Sequence, residues 1–185
     1  MKRVETRLEG LLLLEPRAHH DERGYFLETF RESVLRELGV EHAWVQENHS
    51  RSRRGVVRGM HFQVGEGQAK LVRCATGSIV DAVVDVRRDS PTYGEWEAHE
   101  LSDENHRTLY VPVGFAHGFC VTSEVADVVY KCSSYYDPEL ERAIAYDDPD
   151  VAIEWPGLQL AASARDAAAP RLRELEPELS LSGRS

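Results

Sequence analysis

Three stretches of this chain carry residue types that could do chemistry together. The first is Gln46-Glu47-Asn48-His49-Ser50, followed closely by Arg58-Gly59-Met60-His61-Phe62-Gln63. On an extended strand Gln46, Asn48 and Ser50 project to one face and form a row of hydrogen-bonding groups. Alone, such a row describes an ordinary exposed face; the nearness of Arg58 and His61 changes its meaning. His61 can be a general base, a metal ligand or a satisfied core residue, and its type leaves all three open. The second stretch, Lys70-Leu71-Val72-Arg73-Cys74, puts Lys70, Val72 and Cys74 on one face. A lysine sharing a face with apolar side chains is costly to bury unless it meets a negative charge. The third stretch, Val111 to Phe119, holds Pro112, Gly114 and His117 in close order.

The elements that must position these groups read mainly as strand and turn. Val80, Ala82, Val84 and Val86 alternate with Asp81, Val83, Asp85 and Arg87. Ala126, Val128, Tyr130 and Cys132 alternate in the same way with Asp127, Val129, Lys131 and Ser133. Both have the period of two expected of a strand, and the second aims Tyr130 into the interior. Turn signals such as Gly65-Glu66-Gly67, Thr76-Gly77-Ser78 and Tyr136-Asp137-Pro138 separate the runs. Short strands at this spacing predict a sandwich or barrel. The helix candidates are short: Glu32 to Leu38, stopped by Gly39, and a piece around Ser163 to Ala168. After Pro170 the chain becomes Arg/Glu/Leu-rich and then polar, which reads as a loosely packed tail. The expected organisation is one domain over 1–175 and a flexible tail over 176–185.

Composition narrows the function classes. At 185 residues, 42% hydrophobic and 29% charged, the chain is neither disordered nor fibrous. Its longest aliphatic run, Leu11 to Leu14, is far short of the roughly 20 residues of a membrane span. The start, Met1-Lys2-Arg3-Val4-Glu5, lacks the apolar stretch of a signal peptide, so no membrane and a cytoplasmic location are expected. A net charge of −10 argues against nucleic acid. It leaves room for an anionic small ligand, because Arg51, Arg53, Arg54 and Arg58 cluster, although standing alone such a cluster reads as a solvated loop. Cys74, Cys120 and Cys132 lie in apolar stretches without metal-type spacing and read as reduced core residues.

The pattern Pro112-x-Gly114-x-x-His117 resembles the second motif of the cupins, whose fold is a jelly-roll barrel. The first cupin motif supplies metal ligands as His-x-His; here the matching place holds His61-Phe62-Gln63, and the ligand set looks incomplete. The ordered set is more specific. It comprises Asp21 to Glu28, Gln46 to Ser50, Arg58 to Gln63, Lys70-Leu71-Val72, Asp85 to Gly94, Val111 to Phe119, Tyr130-Lys131 and Ser163 to Asp166. Together these resemble the dTDP-4-dehydrorhamnose 3,5-epimerase family of metal-free cupins, from about Val4 to Leu175.

That resemblance implies an isomerase of dTDP-L-rhamnose biosynthesis acting on a dTDP-4-keto-6-deoxyhexose without redox cofactor or metal. His61 would be the base, Asp166 its carboxylate partner, Lys70 the stabiliser of the C4 oxyanion and Tyr130 the acid on the opposite face. His117 would line the sugar pocket. Arg23 and Arg58 would bind the diphosphate; Gln46, the Glu47 backbone and Asn48 would hold nucleotide or sugar; Tyr136 would stack on thymine. Glu28, Glu141 and Arg165 match further substrate-contacting positions. The family also implies a homodimer with exchange of the N-terminal segment, to which composition adds only that Leu11–Leu14 suits sheet addition.

Departures accompany the match. Arg165 stands where the family often has lysine, Met60 replaces a more usual leucine, and His19 and His20 occupy a stretch where relatives often place an aromatic residue. One tension is geometric: Arg58 and His61 are three apart, so a regular strand sends them to opposite faces, and Gly59 is the natural place for a bulge. Two other readings compete, an epimerase acting at C3 or C5 alone and a non-catalytic cupin that only binds a sugar nucleotide.

Overall fold

The structure is a computed structural model describing residues 1–175 and 179. Its strands in chain order are β1 (Lys2–Val4), β2 (Leu12–Glu15), β3 (Ala18–Asp21), β4 (Gly24–Leu27), β5 (Gln46–Arg53), β6 (Val57–Gln63) and β7 (Lys70–Thr76). They continue as β8 (Ser78–Asp85), β9 (Trp96–Ser102), β10 (Thr108–Val111), β11 (Phe115–Val121), β12 (Val125–Cys132) and β13 (Glu141–Ala143). The helices are α1 (Glu32–Glu37), α2 (Ala164–Ala167) and α3 (Leu172–Leu175). Among the described residues the strands form a six-stranded sheet ordered β1-β2-β10-β7-β12-β5, a five-stranded sheet ordered β13-β6-β11-β8-β9, and the separate hairpin β3-β4. This is the all-β two-sheet architecture predicted by the alternating runs, and the jelly roll that the cupin resemblance implies, with helices as minor parts. No helix among the described residues is long and apolar enough to cross a membrane.

Both sheets bury more than one face. Val72, Leu109 and Val128 from the six-stranded sheet meet Val83, Phe115 and Phe119 from the other. The outer face of the five-stranded sheet, with Met60, Phe62, Val84 and Ala116, is covered by the C-terminal segment through Ile144, Val151, Leu172 and Leu175. The outer face of the six-stranded sheet is covered by Leu35 of α1 and by Val40. Truncating a fully buried leucine such as Leu35 to alanine costs about 2–5 kcal/mol.

Double burial gives the β8 aspartates an unusual setting, and the structure corrects two expectations, the loose segment after Pro170 and sheet addition at Leu11–Leu14. The aspartates of β8 do not face water: Asp81 and Asp85 are fully buried. They are tolerated because each is hydrogen-bonded, Asp85 by Arg87, Ser90 and Thr92, and Asp81 by His117. The segment after Pro170 is not loose throughout, since α3 buries Leu172 and Leu175 and the chain buries Leu179 beyond it. The rest of the expected tail, 176–178 and 180–185, lies outside the described residues. Finally, Leu12 to Leu14 are unsuited to sheet addition, because β2 is already paired with β1 on one side and β10 on the other. The three cysteines are free and buried, as expected.

Candidate active site

The inner walls of the two sheets enclose a cavity of about 460 Å³. His61, Arg58 and His117 line it from the five-stranded sheet, Lys70 and Tyr130 from the six-stranded sheet, and Arg165 and Asp166 from α2. Seven residues expected from the sequence therefore converge.

How Arg58 and His61 share one cavity is answered at Gly59. In the β6–β11 pairing His61 stands opposite His117 and Arg58 opposite Phe119, so three steps on β6 match two on β11. The extra step is a bulge that restores both side chains to the same wall. It requires glycine: φ at Gly59 is +134°, and a Cβ there would lie 2.4 Å from the Gly118 Cα. Met60 between them turns outward into the second core and is fully buried.

Asp166 reaches the same wall by a separate device. Ala161 bridges to Val56 in parallel, with Val57 N–H donating to Ala161 O at 2.8 Å. Ser163 then caps α2, its Oγ accepting from Asp166 N–H at 3.1 Å. The cap fixes Asp166 so that His61 Nε2–H donates to its Oδ1 at 2.8 Å. A proton held on Nε2 leaves the other ring nitrogen unprotonated, which is what a base requires. Burial pushes the His61 pKa down; Asp166 opposes this, and the Lys70 charge adds to it.

On the facing wall, Lys70 is almost completely buried and its Nζ donates to the His61 carbonyl at 3.2 Å, linking the two sheets. Burial lowers its pKa, against the pull of Cys132, Glu141 and Asp81. Tyr130 stands beside Lys70's neighbour Val72 in the β12–β7 ladder. Burial raises its phenol pKa, Cys132 and Glu141 add to this, and a hydrogen bond from Asn48 opposes it. The phenol pKa is thus moved up and the imidazole pKa down, on facing walls of one cavity that Lys70 also lines.

The other expected residues are placed as follows. His117 Nε2 bonds both oxygens of buried Asp81, at 2.9 and 3.0 Å. Arg58 Nε donates to Ser52 Oγ at 2.9 Å. Of the clustered arginines only Arg58 enters this cavity; Arg51 and Arg53 lie on strand β5 rather than in a loop, and Arg51 is tied to Asp127. Gln46 and Asn48 turn to the inner side of β5 but bond each other at 3.1 Å outside the cavity lining, and Glu47 points away to Lys131. Tyr136 and Glu141 also lie outside the lining yet are joined to it, since Glu141 accepts from both the Tyr136 hydroxyl and Arg165. Arg23 and Glu28 are not brought to this cavity. Arg23 sits at the tip of the β3–β4 hairpin against Asp21, and Glu28 follows that hairpin and pairs with Arg31. His19 and His20 are on the same exposed hairpin.

Sequence reasoning missed Asp81, the partner of His117, and several lining groups: Ser50 as a site residue, Val56, Val57, Phe119 and the backbone-rich turn Ala161-Ala162-Ser163. A signal existed for Asp81, an acidic residue set among Ile79, Val80, Ala82, Val83 and Val84. Gln63, in the place of a second cupin histidine, uses its amide to hold the loop between β12 and β13: Oε1 accepts from Asp137 N–H at 2.8 Å. Among the described residues no three His, Cys, Asp or Glu side chains are grouped to hold a metal ion.

Residues 5–174 match the family model described as dTDP-4-dehydrorhamnose 3,5-epimerase. The chain is 50% identical over 153 residues to the dTDP-4-dehydrorhamnose 3,5-epimerase of Methanothermobacter thermautotrophicus, covering 83% of each chain. It is 48% identical over 172 residues to that of Salmonella typhimurium, covering 91% of this chain and 94% of the relative. In fold it is similar to the crystal structure of dTDP-6-deoxy-D-glucose-3,5-epimerase from Legionella pneumophila in complex with dTDP-4-keto-L-rhamnose. The TM-score is 0.93 at 45% identity, over 96% of this chain and 95% of the other.

Proposed function

The chain belongs to the dTDP-4-dehydrorhamnose 3,5-epimerase family, and from that premise we propose that it converts dTDP-4-dehydro-6-deoxy-D-glucose to dTDP-4-dehydro-L-rhamnose with His61 as base and Tyr130 as acid. The observation that carries this assignment is the placement of the two groups on opposite walls of one cavity, His61 on β6 and Tyr130 on β12. The C4 ketone of the substrate acidifies the protons on C3 and C5. His61 takes one of them, the electron pair moves into an enolate with its negative charge on the C4 oxygen, and Lys70 is the nearby cation to stabilise it. Tyr130 then gives its phenolic proton to the opposite face of the same carbon, which inverts it. Proton exchange with solvent restores both groups, and the sequence repeats at the second carbon. No redox equivalent enters or leaves.

Asp166 holds the His61 tautomer and stabilises the imidazolium formed by proton abstraction. Arg58 is suited to the diphosphate by its planar guanidinium. Arg165, Glu141 and Tyr136 form one connected group at the cavity's edge and are assigned to the nucleotide side, with Gln46, the Glu47 backbone and Asn48 beside them. We assign Arg23 and Glu28 to the cavity of a second copy in a homodimer. The support is the hairpin that carries Arg23: its Tyr25 and Phe26 are 52% and 74% exposed, an apolar pair suited to cover by another chain.

The test is product analysis in deuterium oxide. Deuterium at both C3 and C5, with the L-lyxo ketosugar as product, is expected. Label at one carbon only would replace this reading with single epimerisation, and no label with ligand binding alone.

A further inference from the structure

The inner face of β5 carries Gln46, Asn48, Ser50 and Ser52 in alternate positions. Three of the four are already engaged. Gln46 bonds Asn48 and the Tyr136 backbone, Asn48 bonds Gln46 and the Tyr130 phenol, and Ser52 accepts from Arg58. Ser50 differs: it lines the cavity, and its hydroxyl oxygen is buried with no hydrogen-bond partner among the described residues. A buried hydroxyl left without a partner is destabilising, and a strand position that merely packed would be better served by alanine.

We infer that Ser50 is a substrate-binding residue whose hydroxyl bonds an oxygen at the anomeric end of the bound sugar nucleotide, the 2-hydroxyl or an α-phosphate oxygen. The inference rests on the reading of the site proposed above. Its geometry follows from the ladder. Asn48 is opposite Tyr130 and Ser50 is opposite Val128, so Ser50 is two residues along β5 from Tyr130's partner, in the direction of Ser52 and Arg58. At a rise of about 3.3 Å per residue, Ser50 is roughly 7 Å from the Asn48 position and roughly 7 Å from the Ser52 position. A ketosugar with its C3–C5 edge at Tyr130 and its diphosphate at Arg58 passes its C1–C2 end over Ser50. A serine hydroxyl both donates and accepts, so it satisfies either oxygen.

The test compares wild type and Ser50→Ala by steady-state kinetics, dTDP affinity and thermal melting. Wild-type turnover checks the underlying reading by itself: a wild type that makes no epimerised product sinks that reading without reference to Ser50. With an active wild type, Ser50→Ala is expected to lose about tenfold in kcat/KM while melting at the same temperature or higher. Unchanged dTDP affinity assigns the bond to the sugar hydroxyl, and a parallel loss assigns it to phosphate. Unchanged kinetics, or a lowered melting temperature that accounts for the lost activity, overturns the inference. Ser50→Thr, which keeps the hydroxyl, is expected to retain more activity than Ser50→Ala at equal stability; equal loss in both would also overturn it.

Discussion

Asp166 accepts a hydrogen bond from His61 Nε2 at 2.8 Å across 105 residues of sequence, held there by a single turn of helix capped by Ser163. The carboxylate is 6% exposed and the imidazole 26%, so this pair works largely out of water. Asp166→Asn keeps the shape but removes the charge that stabilises a protonated His61. A loss of roughly 10²–10⁴-fold in kcat is expected, with dTDP affinity nearly unchanged. His61→Ala is expected to lose at least as much. More than a tenth of wild-type exchange in His61→Ala would remove it as the base.

The pH profile follows from three directions. His61 must be unprotonated, and burial sets its pKa below the ordinary 6.5, so activity rises with pH through a limb on the acid side of 6.5. Lys70 must be charged, and burial sets its pKa below 10.5, so activity falls again as that proton is lost. Burial raises Tyr130 above the ordinary 10, so it does not contribute to the acid limb. Lys70→Arg is therefore expected to move the alkaline limb upward while leaving the acid limb in place. An alkaline limb that stays put in that variant would assign it to another group.

The bulge at Gly59 makes a sharper structural prediction. Gly59→Ala forces a methyl group against the Gly118 backbone at a φ that L residues rarely adopt. If the chain folds, β6 must regain ordinary step, which sends either Arg58 or His61 away from the cavity. A destabilisation of about 1–3 kcal/mol and a loss of activity beyond that explained by unfolding are expected, read from denaturant titration beside kinetics on the folded fraction. Wild-type rates in a stable Gly59→Ala would show that the two side chains need no bulge.

These residues also show how much could be read before the structure. β8 and β12 were legible because alternation is a local property of the chain. The parity conflict between Arg58 and His61 was itself a signal, and it pointed to the glycine that resolves it. Asp166 had no local signal: its partner is far away in sequence, and only resemblance to a family brought the two together. Asp81 was lost because an acidic residue alternating with valines looks like a solvent face, whereas both faces of β8 are buried. Leu172 and Leu175, three apart in a charged segment, were misread because one helical turn holds too few positions to display a period. Arg23 was expected at a diphosphate, and in a single chain it stands on a hairpin away from the cavity.

That displacement can be checked by mixing two inactive proteins. If Arg23 completes the cavity of a second copy, Arg23→Ala and His61→Ala dimers are each impaired, but a mixed dimer contains one cavity with both groups intact. Unfolding and refolding an equal mixture is expected to restore about a quarter of wild-type activity, from random pairing in a two-fold dimer. No recovery, or sedimentation of a fully active monomer, would remove the exchange.

Tyr130 decides between inversion and mere exchange. Removal of a proton by His61 leaves a planar enolate that is open on both faces. Without a donor on the far wall, the proton can return only from the side of the base, and configuration is kept. Tyr130→Phe leaves the ring's packing in the cavity nearly unchanged and deletes the donor. This variant is expected to keep washing deuterium from solvent into the substrate while losing inverted product by roughly 10²-fold or more. One phenol serves C5 and then C3 only if the sugar reorients without leaving, so wild type should release little product inverted at a single carbon. Full inversion by Tyr130→Phe would assign the acid to solvent or another side chain. Loss of exchange together with inversion would instead place Tyr130 in the abstraction step.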